Sequence, residues 1–587
     1  QHALLGGTKD MHVVPDGIEM FIGLVDPDSD HDLYTNPAIG AMYQRPSDGA
    51  GDMIIEGARL RWLYGQQGIA HDATLDVRVY AIEMVYIPEG EYKLGSGGNV
   101  ENAGFHKYTR ITGTFTASSQ ASTGTVPGNA FNGDLNNRWQ STTAVGAHWL
   151  RADLGVGNEF VMKGFRWHVF STSTYCPNLV WLEASHNGSS WVRLKTINHP
   201  NASGWHKFSL QNETAYRYYR WNIRSVHHTS TVRPAITAIE FYFDPFEVTS
   251  ENTIPVGRAN GRLDYMPHSL AGDNHQSQGI PAEFPKGYRG FYVMKYPVTQ
   301  KQYVDFLNTL TRVQQQNLGF GINIEGRFIN NATAPPFRNG IKLLEVPDNT
   351  DLPYVFGNHL SNDDNYFSPN GEDDGQWIAC NYLAWRMGLA YADWAGLRPY
   401  TELEYEKIVR GSDREPVIGE YTWGSTYIFP AKQIANSGRN NERIHIPAGE
   451  YAMAIYGDQT NVQGPVRVGN FARQATSRTE AGAAYYGVMD MGGMLWEQVV
   501  TVGHNTGRLF KGHHGDGVLS VEGWANQPWW GGNATGNITT SVGSGLRGGA
   551  FDSPADYLRT SDRVWAARNN LATQFLGFRA ARTAPPQ

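Results

Sequence analysis

From about residue 104 to 245 the chain repeats one rhythm: short runs of aromatic and β-branched residues, each closed by Gly, Asn or Ser. Phe160-Val-Met-Lys-Gly-Phe-Arg-Trp-His-Val-Phe170, Leu179-Val-Trp-Leu-Glu-Ala-Ser185 and Tyr216-Arg-Tyr-Tyr-Arg-Trp-Asn-Ile-Arg224 are its clearest members. Such side chains suit a pleated, half-buried surface, and turns at this spacing return the chain as a neighbouring strand. The segment predicts an antiparallel sandwich with Trp139, Trp167, Trp181 and Trp221 in its core. The 66 Gly and 30 Tyr of the whole chain extend the expectation of turns and irregular β structure beyond it.

At 587 residues the chain exceeds what one hydrophobic core holds; its length favours roughly three or four domains. Hydrophobic residues make up 40% and aromatics 12%, enough for packed cores. Against 56 acidic residues stand 48 basic ones, a net charge of −8 with no basic run. No nucleic-acid partner is expected, because such binding sets Lys and Arg against phosphates. Cys176 and Cys380 lie far apart, which excludes a disulfide scaffold and a Cys-based zinc site. No run of about 18 apolar residues is present, so no membrane span is expected. The chain starts at Gln1 rather than Met and reads as a processed or trimmed form.

Residues 1–80 read as a small β-rich region, with alternation in Asp52-Met-Ile-Ile-Glu-Gly-Ala-Arg-Leu-Arg-Trp62 and Ala73-Thr-Leu-Asp-Val-Arg-Val-Tyr80. Its first residues fit a domain whose start is missing. Further on, Ala384 to Ala395 has helical spacing. Thr401 stands where a helix cap belongs, after Pro399, and Glu404 completes a capping box.

Four blocks, in order, resemble the formylglycine-generating-enzyme/sulfatase-modifying-factor family. Met84-Val-Tyr-Ile-Pro-Glu-Gly-Glu-Tyr-Lys-Leu-Gly95 is similar to its first hairpin and Leu397-Arg-Pro-Tyr-Thr-Glu-Leu-Glu-Tyr-Glu-Lys407 to its capped helix. Tyr486-Gly-Val-Met-Asp-Met-Gly-Gly-Met-Leu-Trp-Glu497 resembles a later segment, and Leu546-Arg-Gly-Gly-Ala-Phe551 with Leu576-Gly-Phe-Arg579 the closing motif. The resemblance implies an α+β, C-type-lectin-like domain rich in loops. The motif that should follow the hairpin closely stands instead at Tyr296-Pro-Val-Thr-Gln-Lys-Gln-Tyr-Val-Asp-Phe-Leu307. An insert, residues 104–245, therefore separates the hairpin region 81–103 from the remainder, 246–587.

The insert resembles the discoidin, or coagulation factor 5/8 type C, family, which overlaps with carbohydrate-binding modules. Asn129-Ala-Phe-Asn-Gly-Asp134 with Arg138-Trp139, Trp149-Leu-Arg-Ala-Asp-Leu-Gly155, Ser185-His-Asn-Gly-Ser-Ser-Trp191 and Ile236-Thr-Ala-Ile-Glu-Phe-Tyr242 carry the likeness, in the family's order. It implies an all-β jelly-roll sandwich. Relatives hold a structural calcium, which places Asp134, Asn137 and Glu240 as candidate donors; the other reading is a turn held by its own Asp and Asn side chains. Ligand sites of such sandwiches lie in end loops, which makes Tyr175, Trp205, His206, His227 and His228 candidates, each also readable as packing or surface.

Catalytic members of the sulfatase-modifying-factor family oxidise a substrate cysteine with a copper-binding cysteine pair. Here the resemblance puts Thr560 and Trp565 in those positions, and neither side chain can act as a thiolate. No catalytic residue and no redox cofactor are expected. Met494 replaces a calcium-binding asparagine of the family, while Glu497 remains, readable also as a buried hydrogen-bonded acid. His513 and His514 have metal-ligand residue types but read as a metal-free loop. Arg547 and Arg579 match framework positions. Trp529, Trp530, Trp565, Asn569, Asn570 and Phe575 form an aromatic and amide-rich end, suited to ligand contact or to covering the core.

The reading that results is a non-catalytic, extracellular or cell-surface binding or adhesion protein for a glycan or a surface protein. The alternatives are a metal-dependent oxidase with altered ligands and a structural subunit of a surface filament or phage-like particle. Oligomeric state stays open.

Overall fold

The computed structural model gives the backbone of four short strands within residues 1–69, Met11–Val14, Met20–Ile22, Ala41–Tyr43 and Arg59–Trp62. Beyond them it describes residues 70–74, 80–96, 104–108, 111–143, 147–170, 175–227, 233–241, 245–257, 259–265, 278–360, 374–447, 450–457, 462–530, 537–568 and 573–584. Arg59–Trp62 pairs antiparallel with Met11–Val14, and Met20–Ile22 with Ala41–Tyr43. Residues 75–79, most of the alternating run before Tyr80, lie outside the described residues.

The insert is a two-sheet antiparallel sandwich. One sheet orders its strands Val192–Asn198, Leu179–Ser185, Tyr218–Ile223, His148–Asp153 and Thr114–Ala117; the other runs Gly204–Ser209, Gly164–Val169, Ala235–Phe241 and Trp139–Gln140. Trp139, Trp167 and Trp221 fill the space between them, with Phe165 and Phe241 edge-on or stacked against Trp221. Trp181 does not join them. Its strand alternates, Val180 and Leu182 pointing inward, so Trp181 stands on the outer face, with the Arg193 guanidinium 3.6 Å and that of Arg224 4.5 Å from its ring centre. Period-two geometry makes that outcome unavoidable once its neighbours are buried.

The host domain closes around the insert. Met84–Ile87, Phe291–Met294 and Ala581–Thr583 form one antiparallel sheet, joining the early hairpin to the far end of the chain. Tyr92–Leu94 pairs with Phe246–Val248, and His106–Lys107 with Leu263–Asp264. Residues 106–107 thus pair with the host, and the sandwich proper opens at Thr114. The helix Gln300–Leu307 starts from Thr299, which exchanges capping bonds with Gln302. The helix Glu402–Arg410 starts from Thr401 and Glu404, the expected capping box, and Trp385–Trp394 is the helix expected over 384–395. Arg166 of the sandwich meets both Glu240, its cross-strand neighbour, and Asp264 of the host at 3.3 Å. His106 reaches the same Asp264 oxygen at 3.2 Å, so a buried ion cluster fastens insert to host.

A second buried network sets the position of the Glu402–Arg410 helix. Glu402 accepts from Arg563 at 2.7 and 3.0 Å, from Arg547 at 3.3 Å and from the Val502 N–H at 2.8 Å. Glu406 accepts from Arg547 at 2.9 Å, from Arg410 at 3.0 Å and from the Gly95 N–H at 2.7 Å. Burial pushes both carboxyls up, but the surrounding guanidiniums and N–H groups outweigh it and hold them below the ordinary glutamate value. Their stabilisation is therefore complete above the ordinary carboxylate range and lost as pH falls through the depressed folded values. Glu402→Gln is expected to lower stability by about 3–5 kcal/mol in chemical denaturation at neutral pH, the cost of stranding buried arginines. The same variant should show a shallower loss of stability than the parent below about pH 4.

Candidate functional site

One end of the sandwich gathers polar and aromatic side chains. The strand Gly164–Val169 ends at Phe170, whose ring is 45% exposed. Tyr175 meets Phe170 edge-on at 5.5 Å, and the Arg138 guanidinium lies 4.2 Å from the Phe170 centre and 5.3 Å from that of Tyr175. Gln140 accepts from Arg138 at 3.3 Å and fixes the guanidinium over the rings. Two aromatic rings with a guanidinium held over them by a buried amide can stack on an apolar ring face while the cation bonds its hydroxyls. Of these four residues sequence reasoning named only Tyr175. Arg138, Gln140 and Phe170 flank the Trp139 block and the end of a strand, and only the fold joins them.

The other loop candidates behave differently. Trp205 is half-buried, with Arg166 stacked 4.4 Å from its ring centre and His168 edge-on at 5.3 Å. His206 Nε2 lies 2.9 Å from the Ala202 carbonyl, and its ring packs 4.2 Å from that of His199. His227 Nε2 lies 2.6 Å from the His199 carbonyl. Both histidines point toward Cys176 and His199 rather than toward Tyr175. His228 lies outside the described residues.

At the Asn132 to Asn137 turn, Asp134 and Asn137 do come together. Asp134 accepts from the Asn136 N–H at 2.9 Å and from the Asn137 amide at 2.9 Å. Asn132 Oδ1 accepts from the Asp134 N–H at 2.9 Å, and Asn137 Oδ1 from the Asn132 amide at 3.2 Å. Every named oxygen of the turn already takes an N–H. Glu240, the third expected donor, is instead paired with Arg166. The turn is thus held by its own Asp and Asn side chains, and the Glu240 carboxylate is engaged by Arg166 through Oε2. Melting followed by circular dichroism is expected to be the same in excess EDTA and in about 1 mM calcium, whereas Asp134→Ala should cost about 1 kcal/mol through the lost turn bonds.

The closing motif is built on a close approach. Gly548, at φ +84°, sits where a Cβ would come within 2.4 Å of the Met491 carbonyl oxygen, so only glycine fits. Arg547 beside it is fully buried, as is Arg579, which bonds Glu497 at 2.9 Å and the carbonyls of Met294 and Met489 at 2.7 Å. Glu497 also accepts from the Tyr400 hydroxyl at 2.6 Å, so it is a buried hydrogen-bonded acid. Met494 is buried as well, in a left-handed conformation at φ +66°. His514 Nε2 accepts the Thr583 N–H at 3.0 Å, and burial lowers its pKa well below the ordinary value.

Thr560 is buried, and its carbonyl accepts from Arg547 at 2.7 Å. Trp565 stacks on Trp496 with centres 4.7 Å apart, and the Arg568 guanidinium lies 3.8 Å from its own centre. An indole sandwich fills this place. Trp529 is half-buried with Lys511 4.5 Å from its ring centre, and Phe575 packs on Phe551 at 5.0 Å. Trp530 is 0% exposed and donates to the His513 carbonyl at 2.8 Å; it is a core residue, not a contact surface. Asn569 and Asn570 lie outside the described residues.

These features define a loop-rich α+β scaffold that carries an all-β sandwich inside its first connection. The chain belongs to the sulfatase-modifying-factor family: the sulfatase-modifying factor enzyme 1-like domain matches residues 248–584, more than half of it. The F5/8 type C domain matches residues 114–236, within the insert. Among solved structures, the chain is similar to chitosan-binding module 1 of a chitosanase/glucanase from Paenibacillus sp. IK-5, at 18% identity over 23% of this chain and 99% of that one, TM-score 0.21. It is similar also to the family 32 CBM of Clostridium perfringens NanJ in complex with galactose, at 10% identity over 24% of this chain and 98% of that one, TM-score 0.21. No curated protein matches the chain.

Proposed function

We propose that the chain is a non-catalytic recognition protein, acting outside the cell or on its surface, that holds a glycan through the loop end of its sandwich. The cluster of Phe170, Tyr175, Arg138 and Gln140 carries this reading, because it sets the exposed Phe170 and half-buried Tyr175 beside a guanidinium that the buried Gln140 fixes. The C-terminal scaffold supports it from the other side. Where thiolates would have to stand, Thr560 is buried and Trp565 is stacked between Trp496 and Arg568. The remaining two cysteines, Cys176 and Cys380, are buried and lie elsewhere. No helix among the described residues is long and apolar enough to cross a membrane.

A glycan array probed with the full chain tests the reading. Tyr175→Ala or Phe170→Ala should each lower affinity for the bound glycan by about fivefold, the loss of one stacking contact of roughly 1 kcal/mol. Binding that is unchanged in both variants would move recognition to the C-terminal aromatic surface around Trp529. The oxidase alternative makes the opposite prediction for chemistry. A cysteine peptide incubated with the copper-loaded chain is expected to keep its thiol, and catalytic conversion of that thiol would establish an enzyme.

A further inference from the structure

Beneath the sandwich loops lies a cluster that the glycan reading does not use. Cys176, at the start of the connection after Tyr175, points its sulfur at His199, with Sγ 3.4 Å from Nδ1. His227, on the segment after Tyr218–Ile223, brings a ring nitrogen to the same place, and one ligand atom from each of the three lies within 4.8 Å of the others. His206 stands beside them, its ring 4.2 Å from that of His199. Three separate segments thus bring a cysteine and two histidines to one point. Two distant cysteines seemed to exclude a Cys-based zinc site, but the fold supplies histidines where a second sulfur is lacking.

We propose that Cys176, His199 and His227 bind a zinc-class transition-metal ion. Zn–S distances of about 2.3 Å and Zn–N distances of about 2.0 Å place sulfur and nitrogen roughly 3.6 Å apart on a tetrahedron. The Cys176–His199 pair already has that separation, and a rotation of half-buried His227 closes the wider one. The Nε2 atoms of His206 and His227 each meet a backbone carbonyl, of Ala202 and of His199, so His227 gives up that contact when its ring turns onto the ion.

The surroundings favour an ion over a purely structural contact. Cys176 Sγ lies 3.3 Å from the Pro200 carbonyl, 3.5 Å from that of Pro177 and 3.7 Å from that of Ala202, an electron-rich surround that a cation stabilises. His199 is 2% exposed, so its ring is held in place beside the sulfur. Sulfur with two imidazoles selects zinc, cobalt or copper over calcium and magnesium.

The test is cobalt(II) titration of the full chain, purified free of metal. Binding through Cys176 gives one equivalent of cobalt, a thiolate-to-cobalt charge-transfer band and tetrahedral visible bands, all removed by stoichiometric zinc. Cys176→Ser should lose the charge-transfer band, and His227→Gln, at a half-buried position, should weaken binding while leaving the near-ultraviolet circular dichroism unchanged. Cys380→Ala should retain the band. Cobalt binding without a charge-transfer band, or a band that survives in Cys176→Ser, would overturn the assignment, as would no binding at all by the folded parent. Glycan binding by the metal-free chain is a separate reading and can fail or succeed independently.

Discussion

Two glutamates on one helix hold this molecule together. Glu402 and Glu406, a turn apart, face Arg547, Arg563 and Arg410, which arrive from the closing motif and from the helix's own end. Around these carboxylates gather the early hairpin through Gly95 and, through Val502, the segment after the strand Glu497–Val500. Charges this deep are tolerated only when every lone pair is answered, and here nearly every one is. The network therefore fixes how segments hundreds of residues apart in sequence meet, and the three-stranded sheet of residues 84–87, 291–294 and 581–583 follows from it.

Such a host tolerates a long insertion because its own contacts do not depend on the inserted chain. The sandwich leaves and returns between Tyr92–Leu94 and Phe246–Val248, which pair with one another, so the connection opens where the host is already closed. Arg166, Asp264 and His106 then add a charged fastening between the two bodies. That fastening occupies Glu240 and explains why a residue expected beside a calcium turn serves packing instead. The loop end of the sandwich carries Phe170, exposed, with the Arg138 guanidinium over its ring.

The closing motif is held by geometry and by buried charge. Gly548 and Arg547 serve the fold through a close backbone approach and a buried ion pair. Thr560 and Trp565 occupy the neighbouring positions with side chains that pack and stack.

Periodicity and motif spacing determined much of this protein directly. Strand alternation placed the sandwich, and the Thr401 and Glu404 capping box placed a helix, because both depend on residues near in sequence. Trp530 in the core and Trp181 on an outer face were not legible in the same way, since burial depends on which neighbour arrives from elsewhere. The same holds for Arg138 over Phe170 and Tyr175, and for Cys176 among His199 and His227, which only tertiary folding brings together. Local rules act over a few residues, while sites are made where distant loops meet, and no spacing along the chain records that meeting.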